Sequence, residues 1–331
     1  MKITVTGASG LLGSSVARTL VAQGHSVTTL QRRPSGVDGA RDVLGTVTDP
    51  AAVAEAVNGA EAVVHLAAKV SLTGDPDEFE EVNVGGTRTL VYGAQAAGVS
   101  RLVHISSPSV AHTGESIVGE GARPASPDLA RGEYARTKAA GEIIALGADS
   151  ERFRVLVLRP HLMWGPGDVQ LTERIVERAR SGRMPVLGAG TALVDTLFVD
   201  NAVEAIVAAL DAVDTVHGEA LVVTNGQPRP IGELMSRIAI AGGAREPRLR
   251  IPVRAALAAG SVVERVWELG EHDDEPPLTR FLAEQLSTAH WFDQRRTQEV
   301  LGWRPRVTIE EGLELLAAHY AQEPGLGVAP Q

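Results

Sequence analysis

The feature that most limits how this chain can fold lies at its start. The apolar run Lys2-Ile3-Thr4-Val5-Thr6 passes through Gly7-Ala8-Ser9-Gly10-Leu11-Leu12-Gly13 directly into an apolar helical pattern. Glycines between a strand and a helix permit a tight turn and let the backbone approach an anion. The free N–H groups of the helix's first turn, with its dipole, favour anionic oxygens there. The spacing predicts a dinucleotide-binding turn in which Gly7, Ser9, Gly10, Leu11 and Leu12 hold the pyrophosphate.

The chain continues in the alternation expected of βαβ units. Leu11–Gln23 reads as a helix stopped by Gly24, and Ser26–Leu30 as the second strand. Helices are predicted over Ala51–Val57, Gly85–Ala97 and Glu133–Leu146, and strands over Ala62–Leu66, Leu102–Ser106 and Arg154–Arg159. The expected fold class is α/β, a doubly wound parallel sheet (Rossmann fold) with ligand beyond the carboxyl ends of its strands. Residues 1–160 are expected to form the dinucleotide-binding domain. After Pro160, loops rich in Gly and Pro separate helices such as Leu171–Ser181 and Val203–Leu210. Residues 161–323 are therefore expected to form mainly a smaller, interleaved C-terminal substrate lobe, with 191–225 returning to the sheet and 324–331 a flexible tail. Val253–Gly270 is amphipathic and reads as a lid or lobe helix, with a membrane-surface helix as the alternative.

Composition removes several function classes. A chain of 331 residues buries a large core without help from metals or disulfides, and this one has no cysteine. The formal charge is −10, with Lys and Arg scattered, which argues against a nucleic-acid partner. The nine histidines show no metal-ligand spacing and Asp273-Asp274-Glu275 reads as a solvated acidic turn, so no metal is expected. No run is long and apolar enough to span a bilayer, and no targeting segment precedes Lys2, so the expected location is cytoplasmic.

Two further patterns carry chemistry. At the end of the second strand, Leu30-Gln31-Arg32-Arg33 has no carboxylate for a ribose 2′-hydroxyl. Neutral Gln31 and two guanidinium groups suit a 2′-phosphate, so NADP(H) is the expected cofactor and NAD(H) the alternative. Tyr134 and Lys138 lie four residues apart on a predicted helix and share a face. A nearby ammonium stabilises a phenolate, which would make Tyr134 a proton shuttle while Lys138 also binds the nicotinamide ribose. Ser106 and Ser107 close a strand at the same sheet edge, where a hydroxyl could bond the substrate oxygen.

In these residues the chain resembles the extended short-chain dehydrogenases/reductases, in the epimerase/dehydratase family, and most closely the branch of 3β-hydroxysteroid dehydrogenases and 2-alkyl-3-oxoalkanoate reductases. The resemblance rests on the Gly7–Gly13 loop, His65-Leu-Ala-Ala68, Asn83 in Val-Asn-Val-Gly-Gly-Thr87, Ser106-Ser107, Tyr134 with Lys138, Arg159-Pro160 and Phe198-Val-Asp200-Asn201. It implies Tyr134 as acid/base, Lys138 as its electrostatic partner, and Ser107 as the orienting hydroxyl, with Ser106 the neighbouring alternative. It also implies that Leu66, Ala67 and Ala68 underlie the cofactor, that Asn83 ties the cofactor-side loop, and that Pro160 and Leu162 meet the nicotinamide. Thr46 and Val47 stand beside adenine, Thr46 where the family has Asp.

Substrate contacts are expected from Pro108, Ser109, His161 and Val194. Sugar-nucleotide members have an Asn near the strand end that here reads Pro160-His161-Leu162-Met163, so a small hydrophobic secondary alcohol or ketone, steroid-like or β-keto acid-like, is expected. His161 invites a role on a polar group such as a carboxylate, or a packing role. The resulting expectation is an NAD(P)-dependent ketoreductase or alcohol dehydrogenase, a homodimer, with peripheral membrane contact left open. The alternatives are a nucleotide-sugar epimerase/dehydratase and a non-catalytic dinucleotide-sensing regulator.

Overall fold

The computed structural model describes residues 1–71, 74–268 and 279–322. The acidic turn at Asp273-Asp274-Glu275 and the tail at 324–331 lie outside the described residues, as do the last two positions of the helix expected over Val253–Gly270.

Seven parallel strands form the central sheet: β1 (Lys2–Thr6), β2 (Ser26–Gln31), β3 (Arg41–Leu44), β4 (Ala62–His65), β5 (Arg101–Ile105), β6 (Arg154–Pro160) and β7 (Glu219–Val223). Their spatial order is β7-β6-β5-β4-β1-β2-β3. Chain order reverses beside β1, which is where a doubly wound sheet opens a crevice for ligand. β3 was not expected; its four residues include only one buried position, Val43, which leaves no apolar run to read. Of the stretch 191–225 expected to return to the sheet, Glu219–Val223 does so, pairing with β6 from Glu219↔Leu156 to Val223↔Pro160.

Alternation along the strands feeds two cores. Ile3, Val5, Val64, Val103, Leu156 and Leu158 face the helices Leu11–Ala22 and Val199–Ala212. Leu30, Val63, Leu102, Val155 and Val157 face the helices Pro50–Val57 and Gly86–Ala96. A third core of Trp164, Ile175, Phe198, Leu234, Ile238 and Leu316 belongs to the C-terminal lobe. That lobe also carries a small sheet in which Leu193–Val194 lies between Arg229–Pro230 and His290–Phe292, with Ile117–Glu120 on the far side of His290–Phe292.

Buried polar side chains fasten these parts. Asn201 accepts from the backbone N–H groups of Arg306 and Val307 and donates to Asn225 and to the Val307 carbonyl, so the C-terminal segment is pinned to the lobe. Arg159, at the end of β6, makes a two-pronged ion pair with Glu142 of the helix Gly132–Gly147, both side chains essentially inaccessible to water. Its third nitrogen donates to the Arg123 carbonyl at 2.7 Å.

Breaking a buried ion pair from one side leaves an uncompensated charge, which typically costs about 3–5 kcal/mol, whereas replacing both partners by apolar residues is often neutral. Arg159→Met should therefore lower unfolding stability by about that amount in urea titrations, and Arg159→Met with Glu142→Leu should recover most of the loss. Equal destabilisation in the single and double variants would show that the ion pair contributes net stability.

Candidate active site

The first turn has the geometry its glycines require. Gly7 has φ +75°, and a Cβ there would lie 2.9 Å from the Ala67 nitrogen. A Cβ on Gly13 would lie 2.4 Å from the Gly7 carbonyl oxygen, so the helix start can approach the strand end only with glycine at this position. Gly10 is exposed, and a Cβ on it would meet only the Gly7 oxygen, at 3.6 Å, so its outer side is open. It caps Leu11–Ala22 without a side-chain hydrogen bond, leaving the first-turn N–H groups available. This cradle fits a dinucleotide pyrophosphate, with exposed Ser9 at its rim. Leu11 and Leu12 are half-buried and brace the turn against the lobe core and the sheet core respectively.

At the end of β2, Gln31 is buried and its amide donates to Thr29 and to Asp42, while Asp42 also accepts from the Ser35 hydroxyl and backbone N–H. Burial pushes the Asp42 carboxyl up, but the hydrogen bonds from Thr29, Ser35 and Gln31 outweigh it and hold the group below its usual range. The loop is thereby anchored, with Arg32 and Arg33 exposed on it. Sequence reading missed Asp42 because it reaches Gln31 across strands. Val47 is buried and Thr46 is half-buried, its hydroxyl 3.2 Å from that of Thr48.

The floor of the cofactor side is tied down by side chains. Thr6 accepts from the backbone N–H groups of Leu66 and Ala67 at 3.2 and 3.0 Å. Asn83 accepts from the Lys69 N–H at 2.8 Å and donates to the Lys69 carbonyl and to Thr137, so one buried amide joins the strip Leu66–Lys69 to the helix carrying Tyr134. It sits in a π-helical segment, Glu80–Gly85, that the sequence pattern did not reveal. Its carbonyl faces Gly141, where a Cβ would lie only 2.7 Å away.

Ser107 begins a single 3-10 turn, Pro108–Ala111. Its oxygen accepts from the Ser109 hydroxyl at 2.9 Å, and the Ser107 side chain lies near enough to the Tyr134 phenol to lower that group. Ser106, the alternative, is buried and its hydroxyl has no hydrogen-bond partner among the described residues. Burial pushes the Tyr134 phenol up from its ordinary pKa, and the Ser107 bond only partly opposes this.

Lys138 is held by the main chain: its Nζ donates to the Ile105 carbonyl at 2.6 Å. Burial lowers the Lys138 pKa to about 8, against the pull of Glu142. Beneath it lie two buried histidines, His65 and His104, with ring centroids 5.2 Å apart. His65 bonds Thr6 and Thr87, and burial with the Lys138 charge lowers it to about 3. Burial, Lys138 and His65 push His104 well below the usual range. Their place on neighbouring strands, His65↔His104, gave no local signal in the sequence.

Pro160 ends β6 and Leu162 follows with φ +43°, the one positive φ at a non-glycine among the described residues. Such a conformation costs about 1–2 kcal/mol and is held by its surroundings. Here the Leu162 carbonyl accepts from the Leu197 N–H at 3.4 Å. Pro108 is buried and Ser109 half-buried in the turn at Ser107. Val194 is 1% exposed inside the lobe core, so its side chain supports the wall. His161 is buried beside Asp195, His112 and His290, a grouping that the sequence did not disclose.

Comparison with known proteins agrees with this architecture. Residues 3–224 match the NAD dependent epimerase/dehydratase family. A 2-alkyl-3-oxoalkanoate reductase of Stenotrophomonas maltophilia is 40% identical over 330 residues, covering 97% of this chain and 100% of that protein. The human sterol-4-alpha-carboxylate 3-dehydrogenase, decarboxylating, is 29% identical, covering 95% of this chain and 86% of its own. In fold, a dTDP-glucose 4,6-dehydratase of Streptomyces venezuelae solved with NAD superposes with a TM-score of 0.75 at 22% identity, covering 97% of each chain. With the glycine cradle, the sheet order and these matches in agreement, the chain belongs to the NAD dependent epimerase/dehydratase family, within the extended short-chain dehydrogenases/reductases.

Proposed function

We propose that this protein is an NAD(P)-dependent reductase of hydrophobic ketones, of which 3-oxo acids are the leading class. The observation that carries the reading is the hydroxyl chain Ser109–Ser107–Tyr134 at the carboxyl edge of the sheet, beside buried Lys138. The relatives named for 3-oxoalkanoates and for a sterol carboxylate support the substrate class.

A bound nicotinamide dinucleotide supplies or accepts the hydride. The Gly7–Gly13 turn holds its pyrophosphate, Leu66, Ala67 and Ala68 underlie it, and Lys138 keeps two further N–H donors for ribose hydroxyls while the third stays on Ile105. Tyr134 gives its proton to the substrate oxygen as the carbonyl carbon is reduced. The Ser107 hydroxyl, already accepting from Ser109, directs its own proton to the phenolate or the substrate oxygen. The raised phenol pKa suits this direction, since it keeps Tyr134 protonated at neutral pH. A nucleotide-sugar reaction is less well served, because Pro160-His161-Leu162 offers a diphosphate no Asn.

We assign residues 1–160 with Glu219–Val223 to the cofactor half, and most of 161–323 to the substrate lobe. Exposed Tyr92 and Ile143, on the helices Gly86–Ala96 and Gly132–Gly147, support pairing of two copies through those helices. No described helix is long and apolar enough to cross a membrane, and we place the enzyme in the cytoplasm.

Tyr134→Phe is expected to lower kcat by about 10²–10⁴ while cofactor affinity, measured by fluorescence titration, is retained. Unchanged turnover would remove Tyr134 from the chemistry. We further expect NADPH to give a higher kcat/KM than NADH. The double change Arg32→Ala and Arg33→Ala should erase that preference, and an unaltered NADPH/NADH ratio would refute the assignment.

The pH profile of kcat for reduction, read at saturating substrate, should fall as pH rises through about 8, where Lys138 loses its charge. Below that value the ammonium is present and the limb is flat. A profile level from pH 7 to 9 would contradict this role.

A further inference from the structure

Three buried imidazoles meet at the carboxyl edge of the sheet. His112 closes the turn that Ser107 begins, its N–H donating to the Ser109 carbonyl at 3.1 Å. His161 directly follows Pro160 on β6, and β6 neighbours β5, whose chain continues into Ser106 and Ser107. His290 joins them from the lobe, with ring centroids 4.7 Å from His112 and 5.9 Å from His161. Their exposures are 2%, 6% and 1%. The Ser107–Tyr134 pair and this cluster thus share one edge and one short stretch of chain.

Hydrogen-bond partners fix where the protons sit. Thr288 has one hydroxyl proton and gives it to the Glu284 carbonyl at 2.7 Å, so toward His290 Nε2, 3.0 Å away, its oxygen accepts. His290 then carries its proton on Nε2, shared with His112 Nε2 at 2.9 Å, an arrangement that requires the Gln285 amide, 3.4 Å from His112 Nδ1, to present its oxygen there. A neutral His290 then has a bare lone pair on Nδ1, which is buried and without a partner among the described residues. His161 gives its Nδ1 proton to the Asp195 carbonyl at 2.6 Å. Its Nε2 is likewise an acceptor, and among the described residues its ring makes no other hydrogen bond. Two ring nitrogens beside the catalytic edge lack a donor.

A buried acceptor without a donor, as at His290 Nδ1, is costly, and a simple ketone supplies none. A carboxylic acid does: it brings a carboxylate together with one proton, which converts an imidazole lone pair into a charged donor. We propose that His161 and His290 form the receptor for the substrate's carboxyl group, seating a 3-oxo or 3-hydroxy acid with its 3-oxygen on Ser107 and Tyr134. This rests on the reductase reading above. The carboxylate and one proton enter together. The proton moves to His161 Nε2 or His290 Nδ1, and the resulting N–H donates to the carboxylate oxygen.

The surroundings leave the charge to be supplied by that proton. Burial, opposed by the bond to Asp195, lowers His161 to about 4, so both rings are neutral before the acid arrives. Around the cluster, burial holds His112 below its usual range, with Glu284 pulling it up and Arg131 and Arg123 pressing it down. Burial raises the Asp195 carboxyl to about 6, while its bonds to Thr224, Gln227 and Gly226 and nearby Arg229 pull it down. No lysine or arginine hydrogen-bonds to His161 or His290 among the described residues, so recognition is tied to proton uptake and weakens as pH rises.

The test is calorimetric titration of 3-hydroxyoctanoate into the protein saturated with NADPH or NADH at pH 7, a pair between which no hydride can pass, using two buffers of different ionisation enthalpy. Uptake approaching one proton per acid bound is expected, with at least tenfold weaker binding and no uptake in His161→Asn. Binding without proton uptake, or equal affinity in the variant, overturns the proposal. A kinetic arm compares kcat/KM for 3-oxooctanoate and its methyl ester. The acid-to-ester ratio should exceed tenfold and collapse in His161→Asn, with His161→Gln as a second variant should the first not fold. Failure to reduce either compound strikes the reductase reading instead, while the titration still judges the receptor.

Discussion

One buried amide holds the two halves of the site in register. The Asn83 side chain uses its oxygen on the Lys69 N–H and both amide protons on the Lys69 carbonyl and Thr137. Lys69 continues the strip Leu66–Ala68, and Thr137 is the residue before Lys138. The cofactor floor and the helix bearing Tyr134 and Lys138 are therefore positioned by the same group. Because the Asn83 side chain is itself buried, losing its amide would leave buried Thr137 and the Lys69 backbone groups without that partner at once. Gly141 completes the arrangement by letting the helix approach the Asn83 carbonyl more closely than any side chain would permit.

Much of the sheet was legible because its signals are local. Glycine at 7, 10 and 13 specifies a turn, and apolar alternation specifies strands whose neighbours need not be known. The pieces that escaped depend on contacts far apart in sequence. β3 owes its strand form to pairing with β2, and the π-helical turn at Glu80–Gly85 follows from the partners Asn83 must reach. The small lobe sheet gathers segments of two to four residues from 117 to 292, none long enough to show a period.

The site divides in the same way. Tyr134 and Lys138 could be found from helical spacing, whereas the choice of Ser107 over Ser106 came only from the resemblance. The Lys138 ammonium is anchored on the Ile105 carbonyl, and burial is the largest influence on the phenol. Burial then dominates the electrostatics: His65, His104, His161 and His290 are all pushed toward the neutral form. The carboxyl edge of the sheet is consequently a poorly solvated zone in which a single added proton or charge is felt strongly. None of this follows from residue type, since an isolated histidine in a sequence does not reveal which other histidines it will meet.

The last strand of the sheet has a consequence for how the molecule comes into being. β6 is finished at Pro160, but its outer neighbour β7 arrives only at Glu219–Val223, after the chain has left the sheet to build part of the lobe. During synthesis the apolar residues of β6 must wait, with an unpaired row of backbone donors and acceptors, while some sixty residues emerge. A fragment cut at the apparent end of the cofactor half would retain that raw edge permanently. The nascent chain thus has a window in which its nucleotide-binding half is nearly complete yet still prone to pairing with the wrong strand.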